Sequence, residues 1–306
     1  MKILVYGTGS IAKRHISVLK KIYPKSKIFS ISRSNRELGH TTSIDYKDCT
    51  GSYFDIILIA SSTNNHDSDL HHALSLENDL IFIEKPISLS ENNANKLLSR
   101  INRLGKRVIV GYDLRYHPII LQLKKDVSNY ISGQDNIFLN VKVAQNLDYW
   151  RRDDAPRRSY SFNQTSSGGV YFELSHELDF LHFIFDKRTS VSNSFYSSNF
   201  FNTNLEDISR SEISFLHEKT NVNVLLDMDM ISHLFERYII VNMPKRTFRY
   251  DLLNGFITEY EGGQKVSDSK FDIDRDRRVY LMWKDVMLKK DHLPSYEECL
   301  KLLFKK

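Results

Sequence analysis

The sequence predicts an α/β protein in two parts: an N-terminal doubly wound parallel sheet, then an α+β domain on an open, mostly antiparallel sheet. Three observations carry this. Up to Tyr112, short apolar strands alternate with helices, the pattern of a parallel sheet covered on both faces. A Gly7-x-Gly9-x-x-Ala12 pattern lies between the first strand and the first helix. Beyond Lys187, strand-like runs follow one another with no helix between them, as in antiparallel sheets.

Taken in order, "KILVY" reads as a buried strand, "IAKRHISVLKKIY" as a helix and "KIFSIS" as a second strand. "FDIILIA" and "DLIFIE" are further strands around the helix-like "NHDSDLHHALSL". The helix "ENNANKLLSRINRLG" ends at Gly105 and is followed by the strand "KRVIVGY". There the rhythm changes, which sets the expected domains at 1–112 and 113–306. The second opens with the helix "PIILQLKKDVSNYI" and the strand "NIFLNVKVAQ". A polar loop from Asn146 to Ser167 leads into one apolar helix, "VYFELSHELDFLHFIF". Six strands follow, from "SVSNSFYSS" to "GFITEYE". The closing helix, "RDRRVYLMWKDVMLKK", is a candidate to pack back on the first domain.

Composition narrows the function classes. The chain has 306 residues, 41% hydrophobic and 26% charged, ordinary for a globular protein with two cores. The net charge of +5 comes from scattered Lys and Arg, not the dense basic stripe of a nucleic-acid binder. The longest apolar run has strand length, far short of a membrane span. "MKILVYG" enters a strand directly, without the pattern of a secretory leader, and Cys49 and Cys299 show no metal-ligand spacing. The expectation is a cytoplasmic protein with no metal and no membrane or nucleic-acid partner.

The glycine pattern is the first candidate site. In a strand–turn–helix context, Gly7, Gly9, Ser10, Ile11 and Ala12 form the tight turn that lets backbone N–H groups meet a pyrophosphate at the positive helix end. The alternative is a plain strand-to-helix turn. The end of the second strand chooses between dinucleotides. NAD sites usually place an acid there for the ribose hydroxyl, whereas this chain has Ser32, Arg33 and Ser34, with Arg36 close by. An arginine among hydroxyls suits a 2′-phosphate, which favours NADP over NAD; the alternative is an exposed loop arginine.

"GTGSIAKRH", then "FIEKP" at a strand end, then "GGVYFELSHELD" resembles, in that order, the Gfo/Idh/MocA oxidoreductases. The resemblance implies a Rossmann domain followed by an α/β domain whose open sheet often joins subunits, hence a homodimer or homotetramer. It also implies that "FIEKP" is the family's E-K-P signature, with Glu84 and Lys85 beside the nicotinamide. The residues agree: ligands of parallel sheets bind at carboxyl strand ends, and an ammonium there can stabilise alkoxide charge. A solvated turn is the competing account.

In the predicted helix, Glu173 and His176 lie three apart on one face, and Asp179 continues that face. An imidazole near neutrality is the natural base for a substrate hydroxyl, unless it is simply a core histidine. The resemblance makes His176 and Glu173 catalytic with Lys85, although the family usually has aspartate at position 173. "GYDLRYHP" resembles the family's entry to the second domain, so Arg115 either contacts substrate or locks a hinge. "ASSTNNH" follows the strand "FDIILIA"; Ser61 and Ser62 stand where the family often has threonine and proline and are expected to line the cofactor cleft, and His66, at the family's histidine, is either structural or functional.

The loop "NLDYWRRDDAPRRSYSFNQTSSGG" bears on substrate. Trp150 and Tyr160 can stack on sugar faces, and Arg151 and Arg158 can fork onto an anion, unless the run is only a solvated loop. Its pattern resembles a subgroup found among bacterial surface-polysaccharide and nonulosonic-acid enzymes, which implies an acidic or nucleotide-activated sugar. The leading expectation is hydride transfer at a secondary alcohol of a sugar. Two alternatives stay open: transient oxidation by a retained cofactor, for epimerisation or glycoside cleavage, and a cofactor-binding regulator without catalysis.

Overall fold

The computed structural model describes residues 1–33, 38–131, 136–146, 169–186, 188–198, 207–290 and 292–304. The chain divides into two compact units, Met1–Asp113 with Arg275–Lys306, and Leu114–Asp274.

The first unit begins with β1 (Lys2–Tyr6), α1 (Ser10–Ile22), β2 (Lys27–Ile31) and the two-residue β3 (Thr42–Ser43). It continues through β4 (Tyr53–Ile59), α2 (His66–Ala73), β5 (Glu77–Glu84), α3 (Glu91–Leu104) and β6 (Val108–Gly111). The strands form one parallel sheet in the order β3-β2-β1-β4-β5-β6. That is the doubly wound dinucleotide-binding order, whose strand sequence reverses at β1. Ile3, Leu4 and Val5 of β1 and Ile57, Leu58 and Ile59 of β4 have no exposed surface. Apolar residues therefore run consecutively along these strands instead of alternating, because helices cover both faces. Each such side chain contributes about 1.5–3 kcal/mol by leaving water. α3 is bounded by sequence signals: Ser90 accepts from Asn93 N at its start, and Gly105 ends it at φ +60°.

The second unit holds α4 (Pro118–Asp126), β7 (Asn136–Ala144), α5 (Val170–Glu173) and α6 (His176–Ile184). Then come β8 (Arg188–Ser198), β9 (Ile208–His217), β10 (Thr220–Asp229), β11 (Glu236–Asn242), β12 (Thr247–Asp251), β13 (Phe256–Glu261) and β14 (Gln264–Lys270). They form a sheet ordered β14-β13-β12-β11-β7-β10-β9-β8, in which, among the described residues, the β7–β10 pairing is parallel and the others antiparallel. Ile137, Leu139, Val141 and Val143 of β7 are buried, and so are Val222, Val224, Leu226 and Met228 of β10. Their period of two places one face of the sheet in a core and turns the other outward.

The chain closes with α7 (Arg275–Met287) and α8 (Tyr296–Phe304), both in the first unit. Arg14 of α1 donates to Asp276 of α7 at 3.0 Å, and Trp283 of α7 is completely buried. Val110 N donates to Pro294 O at 3.0 Å, so the segment before α8 covers the edge of β6. Among the described residues, no helix is long and apolar enough to cross a membrane.

Three local expectations are corrected. The single helix expected over "VYFELSHELDFLHFIF" is broken at Leu174–Ser175, with Leu174 at φ −100° and ψ 24°. Apolar residues continue through the break, so hydrophobic pattern could not reveal it. β14 was not expected, because all its residues are exposed and only hydrogen bonding to β13 makes it a strand. β3 was too short to carry any periodicity.

Candidate active site

The first unit gathers its candidate residues at the carboxyl ends of its strands. Gly7 follows β1 with φ +97°, and a Cβ there would lie 2.5 Å from Ala60 O and 2.6 Å from Ser61 N. Only glycine satisfies both the left-handed backbone and this approach of two strand ends. Gly9, which precedes α1, is different: a Cβ would meet nothing within 4 Å, so its bareness leaves open space at the helix start. Among the described residues no side chain caps α1, and its first turn, Ser10, Ile11 and Ala12, carries no acid. Ala12 is buried under it. The donor end of α1 is thus arranged for an anion in contact with backbone, the chemistry a dinucleotide pyrophosphate requires.

After β2, Ser32 Oγ lies 3.2 Å from Thr8 Oγ1, joining the first two strand ends. Arg33 is not a solitary loop arginine. Its guanidinium donates to both oxygens of Asp69, at 2.6 and 3.2 Å, and to Ser68 Oγ at 3.3 Å, and it stands 5.4 Å from the Tyr46 ring centroid. Asp69 is fully buried and also accepts from Tyr46 at 2.7 Å and Ser61 at 2.6 Å. This corrects the expectation that no carboxylate accompanies Arg33. One arrives from α2, its oxygens already taken by Arg33, Tyr46 and Ser61. Asp69 raises the Arg33 pKa chiefly through their hydrogen bond. Burial, then the bond to Asp69, holds the Tyr46 phenol well above its usual value.

Ser62 donates to Asn64, and His66, at the start of α2, is buried. Its Nδ1 lies 2.8 Å from Pro86 O and its Nε2 3.1 Å from Ser61 O, so the ring bridges the ends of β4 and β5. Burial pushes its pKa down, and the two carbonyls only partly offset this. The E-K-P turn closes β5: Glu84 pairs in register with Gly111, Lys85 follows directly, and the Lys85–Pro86 peptide is cis. The Glu84 carboxylate meets His15 Nε2 at 2.8 Å.

In the second unit, Glu173 ends α5 and is buried, while half-buried His176 begins α6. They therefore do not share one continuous helical face. Asp179, the expected extension of that face, has no exposed surface. Arg115 forks onto it, Nε at 2.9 and 3.1 Å and Nη2 at 2.7 Å, and is itself only 6% exposed. Arg115, read from the sequence as contacting substrate or locking a hinge, and Asp179 thus pair with each other inside the unit. Trp150, Arg151, Arg158, Tyr160 and Ser34 lie outside the described residues. Asp69, Tyr46 and His15 were missed, since each meets its partner across long sequence separations that no local motif records.

Residues 1–112 match the family described as "Oxidoreductase family, NAD-binding Rossmann fold" (GFO_IDH_MocA). The chain is 26% identical over 204 residues to an inositol 2-dehydrogenase/D-chiro-inositol 3-dehydrogenase of Halalkalibacterium halodurans, covering 62% of this chain and 55% of that relative. It thus spans about half the length of the curated relatives it matches. In fold it is similar to a super-repressor mutant of Gal80p from Saccharomyces cerevisiae, with a TM-score of 0.78 at 13% identity, covering 99% of this chain and 93% of that one. It is also similar to the WlbA dehydrogenase of Bordetella pertussis, solved with NADH and UDP-GlcNAcA, with a TM-score of 0.73 at 16% identity over 99% and 93% of the two chains. Residues 1–112 are therefore similar to the NAD-binding Rossmann domain of the Gfo/Idh/MocA oxidoreductases.

Proposed function

We propose that this protein transfers hydride between a nicotinamide dinucleotide and a secondary alcohol or ketone of a sugar. The observation that carries the reading is Lys85, which follows the carboxyl end of β5 in the sheet whose β1 ends in the Gly7 turn. A bound nicotinamide supplies the hydride acceptor or donor. Lys85 donates a hydrogen bond to the substrate oxygen and stabilises negative charge developing there. His176 takes the hydroxyl proton in oxidation and returns it in reduction, and Glu173 orients the imidazole. Gly7, Gly9 and the first turn of α1 hold the pyrophosphate, with Ser61, Ser62 and His66 shaping the neighbouring strand ends.

NADP is the favoured dinucleotide in this reading. The support is Arg33, whose side chain is 41% exposed and already aimed by Asp69, a pre-organised partner for a 2′-phosphate. The substrate class is an acidic or nucleotide-activated sugar of surface-glycan biosynthesis, acted on in the cytoplasm. Support comes from the likeness to WlbA, solved with a nucleotide sugar, and from the run containing Trp150, Arg151, Arg158 and Tyr160. The outward sheet face of the second unit, with Phe138 43% and Tyr196 57% exposed, supports assembly into a homodimer or homotetramer. The test is to screen purified protein with NADP⁺ and NADPH against free, uridylylated and cytidylylated sugars. Stoichiometric formation of NADPH supports a dehydrogenase. Product formation without it assigns the transient-oxidation chemistry instead, and binding without any turnover assigns a regulator.

A further inference from the structure

We propose that Trp283 and His15 are positioning residues for the Lys85 turn, acting through Glu84. The inference rests on the function proposed above and deepens it. The Trp283 indole N–H, which can only donate, lies 2.8 Å from His15 Nδ1. Nδ1 must therefore carry the lone pair, and the ring proton sits on Nε2. Nε2 in turn lies 2.8 Å from Glu84 Oε1, so the imidazole donates to the carboxylate. The direction of the whole chain is set by one group without acceptor capacity: indole to imidazole to carboxylate.

Its surroundings leave these groups little choice. Trp283 and His15 are fully buried and the Glu84 side chain is 13% exposed. The indole stacks on Phe82 with centroids 4.6 Å apart, and His15 stands edge-on to Phe82 at 5.3 Å and to Trp283 at 5.6 Å. Gly111, the register partner of Glu84, completes the enclosure. A Cβ there would fall 2.7 Å from Glu84 Oε1 and 2.7 Å from Phe82 Cε1, so the volume is reserved for the carboxylate and the ring. Two apolar side chains could fill the same space as His15 and Trp283. The directed chain adds a defined orientation for the residue that immediately precedes Lys85. It also ties α1, which begins at the cofactor turn, to the end of β5. A site held by locked neighbours keeps its geometry better than one on a bare loop.

The experiment compares the unmodified full chain with Trp283→Phe, which keeps a stacking ring but has no N–H. In ¹⁵N-labelled protein the unmodified His15 should show the Nε2-protonated tautomer, and Trp283→Phe should lose that single form. Exchange of the Lys85, Ile87 and Ser88 amides should accelerate about tenfold, the equivalent of one hydrogen bond. Turnover should fall by a similar factor, with the Michaelis constant unchanged and cofactor affinity kept within about threefold. His15→Gln, whose oxygen can accept from Trp283 and whose amide can donate to Glu84, should retain more turnover than His15→Leu. That pair carries the test if Trp283→Phe does not fold. An Nδ1-protonated His15 in the unmodified protein overturns the proposal. So does a folded Trp283→Phe with unchanged exchange and turnover, or a His15→Gln no better than His15→Leu. If the unmodified protein binds neither NADP⁺ nor NAD⁺, the functional reading fails, while tautomer and exchange still judge the relay.

Discussion

Replacing Arg33 with alanine separates cofactor choice from stability. The side chain forms a fork onto Asp69, which is fully buried, yet is itself 41% exposed. Breaking a fully buried pair costs about 3–5 kcal/mol and an exposed one about 1 kcal/mol or less. With one partner inside and one half outside, Arg33→Ala should lie between, at about 2 kcal/mol. Part of that cost is the Asp69 carboxylate left, among the described residues, with Tyr46 and Ser61 as donors. For a domain of this size the melting temperature should fall by about 4–8 °C. A lost charge-assisted contact to a 2′-phosphate is worth about 1.5–3 kcal/mol, so the NADP⁺ dissociation constant should rise about ten- to a hundredfold. NAD⁺, which lacks the phosphate, should change by less than about threefold. Asp69→Asn keeps the shape but turns an acceptor toward donors as an amino group, and should weaken NADP⁺ binding with Arg33 still present. Calorimetric titration of both cofactors, with thermal unfolding of each variant, measures all of this. Equal affinities for NADP⁺ and NAD⁺ in the unmodified protein, or equal losses for both in Arg33→Ala, refute the reasoning.

Lys85→Ala and His176→Ala should each lose about 10²- to 10⁴-fold in turnover while remaining folded, and near-normal turnover of the true substrate by either would remove that residue from the mechanism. Gly7→Ala should abolish dinucleotide binding and lower stability by several kcal/mol, because the added carbon meets backbone at 2.5 Å and φ is +97°; cofactor titration and denaturant melts check it. Burial lowers the His66 pKa, so between that value and about 6.5 the unfolded chain binds more protons than the folded one. Stability should be fully present above about pH 7 and decline as pH falls through that window. His66→Gln should make this acid limb shallower by up to about 1.4 kcal/mol per pH unit, leaving the parallel contribution of His72, whose pKa is also lowered by burial. Urea melts across pH 5–8 decide it, and an unchanged slope would count against a titrating His66.

How legible each feature was depended on the distance over which it is specified. Gly7 and Gly9 announce a tight strand-to-helix turn because the strand, the turn and the helix are contiguous and each needs particular residue types. The alternation of β7 and β10 declares a half-buried sheet for the same reason. The break between Glu173 and His176 left no such mark, since Leu174 and Ser175 suit a continuing helix as well as a turn. The exposed β14 carries no burial pattern at all, because its pairing lies in backbone hydrogen bonds that any sequence can make.

By itself, the sequence determined the two-part α/β class, the parallel sheet of the first part and the strand ends where Gly7, Arg33, Ser61 and Lys85 would stand. These follow from hydrophobic period and turn chemistry, which act between near neighbours. Only the tertiary structure decided the partners. It brought Asp69 to Arg33, paired Arg115 with Asp179, and carried Trp283 to His15 across a separation of 268 positions. A charged or polar side chain reads the same in sequence whether water or another side chain will satisfy it. Burial makes that choice, since a buried charge must be paired, and burial is a property of the packed chain.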